Sequence, residues 1–312
     1  MNERTQDTSG RRSPWLAGLL SFIMPGIGQV YCGKLVRGLI FGVLYGLAIP
    51  AALGLLAFVG PASTVLFGLL AAAAAFGVVA AAVMDAYRLA VKTRLDYERK
   101  AYNQPAVYLL IGLMIQGSSL GYGLHVRASL FEAFRVTAAS MFPTIGLDDR
   151  ILGNKTAYRN ADPQYGDIVL FHPPAGDWRS TYIKRIVALG GDRVEIRNDE
   201  VYVNGQKLPR ELVGPGTAVV DPTGNLVFEG KVYKERNARA EYTIFLADGA
   251  SPQKPGLAEI TVPEHHCFVL GDARDDSFDS RQFGPIPYAL IRGRADYLYW
   301  PARNWSRFGR LK

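Results

Sequence analysis

The sequence predicts a multi-span α-helical membrane region followed by a mainly-β domain. Three observations carry this. No charged residue occurs from Gly38 to Met84. A second uncharged stretch covers residues 101–125. Behind it, β-branched runs alternate with Gly, Asn and Asp turns, as in Val201-Tyr202-Val203-Asn204-Gly205. The 312 residues are 49% hydrophobic and 20% charged, but the two parts differ. Residues 1–125 hold ten Lys/Arg against five Asp/Glu, and residues 126–312 hold 25 against 23. The excess positive charge flanks apolar runs, as the positive-inside rule describes. No basic stripe marks the later part as a nucleic-acid surface.

Taken in order, residues 1–12 form a cytoplasmic tail and residues 13–87 an apolar membrane region. Residues 13–33 are uncharged but broken by Pro25-Gly26-Ile27-Gly28-Gln29. Such a segment is re-entrant, interfacial or a kinked span. A span would put Arg11-Arg12 outside, which the charge rule disfavours, so a non-spanning or hairpin form is favoured. Hydrophobic spans continue behind it, so it is not read as a cleavable signal peptide. Gly38–Met84 is too long for one helix, since about 20 residues cross the hydrocarbon core. Gly60-Pro61 near its middle is a natural turn. Two spans follow, at about 38–59 and 62–85, and the small Ala71–Ala75 run permits close helix packing. The linker 88–104, with Arg88, Lys92, Arg94, Arg99 and Lys100, stays cytoplasmic. Pro105 starts a third span over 105–125, which leaves residues 126–312 external. The pattern Pro25-Gly26-x-Gly28-Gln29-x-Tyr31-x-Gly33 resembles the small two-helix membrane modules called TM2-like, over about residues 15–60.

In the external part, Gly166-Asp167 turns into the apolar run Ile168–Phe171. Tyr182–Leu189 alternates poorly and is β-branched, which suits a strand buried on both faces. Arg193–Arg197 alternates cleanly, Asn198-Asp199-Glu200 turns, and Val201–Val203 returns before Asn204-Gly205, a strong hairpin signal. Residues 209–258, rich in Gly, Pro and charge, read as a loop-rich β insertion.

Cofactor and metal chemistry find no pattern. Cys32 and Cys267 fall in different compartments of this topology, so no disulfide is expected, and Cys267 reads as a buried small hydrophobe. Neither lies in a CxxC arrangement. The acidic cluster from Asp272 lacks the Gly and Glu of a calcium loop at positions six (Ser277) and twelve (Phe283). The His265-His266 pair has no partnered carboxylate spacing.

Two segments carry chemistry. Ser140 opens Ser140-Met141-Phe142-Pro143-Thr144, and Lys184 lies inside Tyr182-Ile183-Lys184-Arg185-Ile186-Val187. A serine hydroxyl needs a base to become a nucleophile. A lysine buried among Ile183, Ile186 and Val187 is lowered in pKa and can be that base without any histidine. Arg185 points to the opposite strand face and needs its own anion, for which Asp272 is the candidate. Either residue alone would read as an ordinary turn serine or a solvated strand lysine. A third segment, Gly271-Asp272-Ala273-Arg274-Asp275-Asp276-Ser277-Phe278-Asp279-Ser280-Arg281-Gln282-Phe283-Gly284, changes that balance.

Together these segments resemble the bacterial type I signal peptidases, membrane-bound Ser/Lys leader peptidases. The likeness covers about Phe131 to Pro287 in four segments: Phe131–Thr144, Gly166–Phe171, Tyr182–Asp192 and Gly271–Gly284. It implies Ser140 as nucleophile and Lys184 as general base. It implies Ser277 orienting the lysine amine, with Asp279–Arg281 and Asp272–Arg185 as supporting pairs. Phe134, Val136, Met141 and Ile183 match walls of shallow pockets for small residues. The implied fold is a β-rich catalytic domain resting on the bilayer of the bacterial inner membrane. The implied partners are preprotein signal peptides with small residues before the cut, and the lipid bilayer. Neither cofactor nor metal nor nucleic acid is implied.

One position departs from the family pattern. Many members carry a hydroxyl two residues before the nucleophile, where it serves the oxyanion hole; here it is Ala138. A lost donor of this kind costs about 2.7–4 kcal/mol of transition-state stabilisation. The Ser140 N–H remains, and Thr137 is nearby in sequence. Two competing readings are a repressor-type Ser/Lys autoprotease, which three apolar spans disfavour, and a membrane scaffold with a degenerate peptidase domain. Retention of Ser140, Lys184, Ser277 and Asp279 disfavours the scaffold.

Overall fold

The computed structural model describes residues 12–56, 61–93, 100–174, 180–219, 227–238, 240–249 and 256–311. The chain divides into two units, Met1–Val126 and Arg127–Lys312.

The first unit is helical. Helix α1 (Pro14–Ile23) begins at a Ser13 cap with Pro14 in its first turn, where a missing N–H is harmless. It ends before Pro25-Gly26, and Gly26 takes the left-handed conformation that starts α2 (Ile27–Tyr31). Helices α3 (Leu35–Leu56), α4 (Pro61–Lys92) and α5 (Pro105–Ser129) follow. Pro61 and Pro105 both stand at helix starts.

The interior of this unit is partly polar. Fully buried Ser21 donates to Gln29 Oε1 at 3.0 Å, and Gln29 Nε2 donates to Ala82 O at 2.8 Å and to Asp85 at 3.2 Å. Asp85 also holds Arg37, whose Nε lies 3.0 Å away. The Pro25–Gly33 pattern therefore builds a tight turn whose glutamine is satisfied by α4. Gly28 packs so closely on Ala17, Ser21 and Ala86 that a Cβ would collide with each. The opposite faces of α3 and α5 expose Leu39, Ile40, Val43, Leu109, Leu113 and Met114.

Helix α4 runs seven residues past the expected end of the second span, so Arg88 and Lys92 belong to the helix rather than to a linker. Basic side chains at a helix carboxyl end are favoured by the helix dipole, which is why the charge did not stop it. Arg94 to Arg99 lie outside the described residues, as does Gly60. Among the described residues, Ala72–Lys92 is the helical stretch long and apolar enough to cross a membrane. The described apolar stretches of α3 and α5, Leu35–Leu47 and Pro105–Gly117, are shorter.

The second unit is mainly β. Its strands are β1 (Phe131–Arg135), β2 (Arg150–Asn154), β3 (Ile168–Phe171), β4 (Tyr182–Leu189), β5 (Arg193–Arg197), β6 (Glu200–Val203), β7 (Gln206–Lys207), β8 (Arg210–Val219), β9 (Val227–Asn237), β10 (Ala240–Ala247), β11 (Leu257–Thr261), β12 (His266–Leu270), β13 (Ile286–Pro287), β14 (Ile291–Trp300) and β15 (Gly309–Arg310). A short helix, α6 (Ser280–Phe283), precedes β13. The main sheet runs β1-β2-β14-β3-β4-β12-β13, with β15 on β14. Strands β11-β5-β6-β7 and β10-β9-β8 form two further sheets. Strand β4 is flanked on both sides, by β3 and β12, which explains its poor alternation: Lys184 through Ala188 are all buried.

The insertion at 209–258 is more regular than its composition suggests. Strands β8, β9 and β10 pair over nearly their whole described lengths. Gly214, Pro215 and Gly216 sit on β8, an edge strand, where a missing donor is tolerated. Residues 220–226, 239 and 250–255 of this region lie outside the described residues. Cys32 and Cys267 are both free and buried, and Cys267 packs with Val169, Ile186 and Val269.

Candidate active site

The site is built where three segments of the second unit meet. The first is the turn after β1. Met141 and Ile145, 1% and 0% exposed, anchor it in the core beside Ile151 and Leu170, and the Ile145 N–H closes it on Met141 O at 2.8 Å. Ser140, at the start of the turn, is left half-buried at the surface.

The second segment is β4. Its register sets Lys184 opposite Val169 and Arg185 opposite Ile168. The strand period sends the two cations to opposite faces. Lys184 Nζ reaches Ser140 Oγ at 2.7 Å and Ile183 O at 3.1 Å. Arg185 forks onto Asp272, with Nε to Oδ1 at 2.8 Å and Nη2 to Oδ2 at 2.7 Å, and both side chains are 1% exposed. Thr144 completes this pair by donating to Asp272 Oδ2 at 2.6 Å.

The third segment is the loop from Gly271 to Gly284. It joins the Ser140 turn through its backbone: Ala273 N–H donates to Ser140 O at 3.1 Å. On its other side it pairs with β10, with Phe245 N–H to Asp272 O at 2.8 Å and Arg274 N–H to Phe245 O at 3.0 Å. Gly271 packs against Ser140 O and the Ser277 side chain so tightly that a Cβ would collide with both. Asp279 caps α6 and accepts from Arg281 Nε at 2.8 Å and Nη2 at 2.7 Å, and from Gly271 N–H at 3.0 Å. Ser277 is buried within this loop, close enough to the Asp279 carboxylate to help hold it ionised.

The electrostatics follow from burial. Desolvation of Lys184, 5% exposed, pushes its pKa down to about 8 against the pull of the Asp279 and Asp272 carboxylates. Burial acts to raise the Asp279 carboxyl, but the Arg281 guanidinium, the Gly271 N–H and Ser277 outweigh it and hold it below the usual carboxylate range. Lys184 is thus poised to be neutral at mildly alkaline pH, with its amine on a hydroxyl. That arrangement can take the proton from Ser140 as the oxygen attacks a carbonyl.

A groove of about 960 Å³ runs past the pair. Phe134, Val136, Met141 and Ile183 all line it, together with Ala138, Tyr182 and Phe278. Their parts differ: Val136 and Met141 are core residues whose surfaces form the floor, whereas Phe134 and Ile183 are half-buried walls. No histidine among the described residues lines the groove. Among the described residues, no group of three His, Cys, Asp or Glu is placed to hold a metal ion.

Sequence reasoning missed one part of the site. Arg274 is buried and clamps Glu235 of β9, with Nη1 to Oε2 at 3.1 Å. Glu235 also accepts from Arg210 at 2.8 Å and from the Tyr242 hydroxyl at 3.0 Å. This network ties the inserted sheet to the loop from Gly271 to Gly284. Arg274 was visible inside a recognised segment, but its anion lies 39 residues away in a region without a motif.

A serine within hydrogen-bond distance of a buried lysine, on a mainly-β scaffold, is the arrangement that a serine–lysine hydrolase would need. The sequence model of the family described as "Signal peptidase, peptidase S26" matches residues 111–300, so the chain belongs to that family. It is 29% identical over 197 residues to a probable signal peptidase I-1 of Synechocystis, covering 61% of this chain and 82% of that one. It is 31% identical to a signal peptidase I of Bacillus caldolyticus, over 58% of this chain and 86% of the relative. It is 33% identical to a signal peptidase I of Pseudomonas aeruginosa, over 60% and 73%.

Proposed function

We propose that Ser140 is the nucleophile and Lys184 the general base of a membrane-bound endopeptidase. The chain is a signal peptidase, a serine endopeptidase that removes amino-terminal signal peptides from exported preproteins. The observation that carries the residue assignment is the 2.7 Å contact between Lys184 Nζ and Ser140 Oγ inside the groove. Ser140 Oγ attacks the carbonyl before the cut, Lys184 takes its proton and returns it to the leaving amine, and the Ser140 N–H faces the developing oxyanion. Ser277 and the Asp279–Arg281 pair hold the lysine's surroundings. The Arg185–Asp272 pair fixes the far face of β4. Phe134 and Ile183, over a floor of Val136 and Met141, select small side chains before the cut.

The membrane arrangement belongs to the same proposal. Helices α3, α4 and α5 cross the bacterial inner membrane, residues 13–33 do not, the basic segment around Lys100 is cytoplasmic, and residues 126–312 work outside. The exposed apolar faces of α3 and α5 and the span Ala72–Lys92 support this. The test is cleavage of a preprotein by the full-length protein in detergent, with sequencing of the new amino terminus. Cleavage that persists in Ser140→Ala would overturn the assignment.

A further inference from the structure

Beside the groove lies a second cavity of about 340 Å³. Its floor is apolar, made by Ala218, Phe245 and Ala273, each 2% exposed, with Phe228 at the edge. Its rim carries Asp248, Asp275 and Asp276.

The cavity shares a wall with the groove that holds Ser140 and Lys184. Ala138 and Ser140 line the groove, while Ala139 between them lines the cavity. Asp275 and Asp276 line both. The loop that forms this shared wall is held to the nucleophile by the Ala273–Ser140 bond and to β10 by its pairing with Phe245. The groove walls Phe134 and Ile183 serve the residues before the cut. A chain that continues past Ser140 along the Asp275–Asp276 wall brings the residues after the cut to the cavity.

The lining suits one kind of side chain. Aromatic and alanine surface takes an aliphatic stem, and carboxylates at the rim take a cationic head. Asp276 of that rim also acts on Lys184, but the two arginines of the same loop are engaged elsewhere. Arg274 is committed to Glu235, and Arg281 to Asp279. One Asp275 oxygen is engaged by the Ala247 N–H at 2.7 Å, whereas Asp248 and Asp276 are exposed. We infer that this cavity is a subsite for a lysine or arginine side chain in the mature segment, shortly after the cut bond. The inference deepens the signal-peptidase reading and rests on it. The insertion β8–β10 then contributes to substrate choice, since it supplies Ala218, Phe228, Phe245 and the turn residue Asp248.

The experiment uses the full-length protein in detergent and peptides that share one signal portion. Lys, Ala or Glu is placed at each position after the cut in turn, and kcat/KM is measured at low and high salt. At one position the expected order is Lys, then Ala, then Glu, with several-fold steps that shrink at high salt. Asp248→Lys should reverse the Lys and Glu peptides at that position, and Asp248→Asn should bring them together. An order that neither variant changes, or no charge preference at any position, overturns the cavity assignment while cleavage itself continues. If the unmodified enzyme leaves the Ala peptide uncut, or Ser140→Ala cuts it equally well, the signal-peptidase reading falls and the cavity assignment with it.

Discussion

The Ala273 N–H donates to the Ser140 carbonyl at 3.1 Å, and this one bond sets the candidate nucleophile beside the loop that carries Asp272, Ser277 and Asp279. The loop in turn is pinned on three sides. Arg185 holds Asp272, Arg281 holds Asp279, and Glu235 holds Arg274. Each of these carboxylates is fully buried. Rigid positioning of this kind matters because displacing a reacting atom by about 1 Å can cost about 100-fold in rate.

The dyad is tested by four variants. Ser140→Ala and Lys184→Ala should each abolish cleavage with the fold intact by circular dichroism. The double variant should be little worse than either single one, because the two residues act as a unit. Lys184→Arg should also be inactive, since a guanidinium stays protonated. Substantial activity in Lys184→Arg would remove the lysine from the base role.

The pH dependence has a definite sign. Only neutral Lys184 can accept the serine proton, so kcat/KM should rise with pH through an acidic limb near 8. Replacing His125, His172, His265 and His266 together by Gln should leave that limb in place. Stability follows the same group. A lysine whose pKa is lower in the folded than in the unfolded protein costs stability in full below about pH 8, and the cost fades as pH rises toward the ordinary lysine value. Lys184→Met should therefore stabilise the fold at pH 7, by on the order of 3 kcal/mol, and less at pH 10. Equal shifts in Tm at the two pH values would contradict burial as the source of the lowered pKa.

The pair on the far face of β4 should behave as a buried ion pair. Asp272→Asn leaves Arg185 charged and without its counter-ion, at a cost of about 3–5 kcal/mol. Removing both charges with Arg185→Met and Asp272→Leu should cost less than the sum of the single changes. Additive losses in denaturant titrations would show that the two residues do not depend on each other.

Much of the site was legible because its residues are close in sequence to distinctive neighbours. Lys184 and Arg185 alternate on a strand, so their opposite faces follow from the period alone; the period asks only for some anion beside Arg185, and Asp272 as that anion is what the family resemblance implies. The Glu235 network was not legible, because a buried carboxylate inside an ordinary charged strand has no local signature. The regular β8–β10 sheet was hidden for a related reason. Its Gly and Pro residues read as loop, and only pairing with β9 makes them an edge strand. The end of α4 is not legible from charge, because Arg88 and Lys92 favour a helix carboxyl end instead of marking a boundary before it.

The topology is tested by labelling from one side. In intact cells, Lys92→Cys should resist an impermeant thiol reagent and Arg236→Cys should react, since the native Cys32 and Cys267 are both buried. Arg236 is exposed on β9, far in sequence from the proposed spans. Both positions reacting, or both resisting, would remove the crossing by α5 and with it the external placement of the β domain.

Specificity before the cut gives the sharpest test, because the groove separates walls from floor. Ile183 is half-buried, and its side chain lines the same groove as Ser140 and Lys184. A large residue before the cut would meet Ile183 and push its carbonyl away from Ser140. Ile183→Ala should therefore admit Val or Leu at that position, or scatter the cut, with little effect on Tm. Met141 is 1% exposed and packs with Ile145 and Ile151, so Met141→Ala should act mainly on stability, by about 2–5 kcal/mol. The measurement is the sequence of new amino termini from substrates with Ala, Val, Leu or Phe before the cut. Efficient cleavage after Phe or Leu by the unmodified enzyme would show that Ile183 does not bound the pocket.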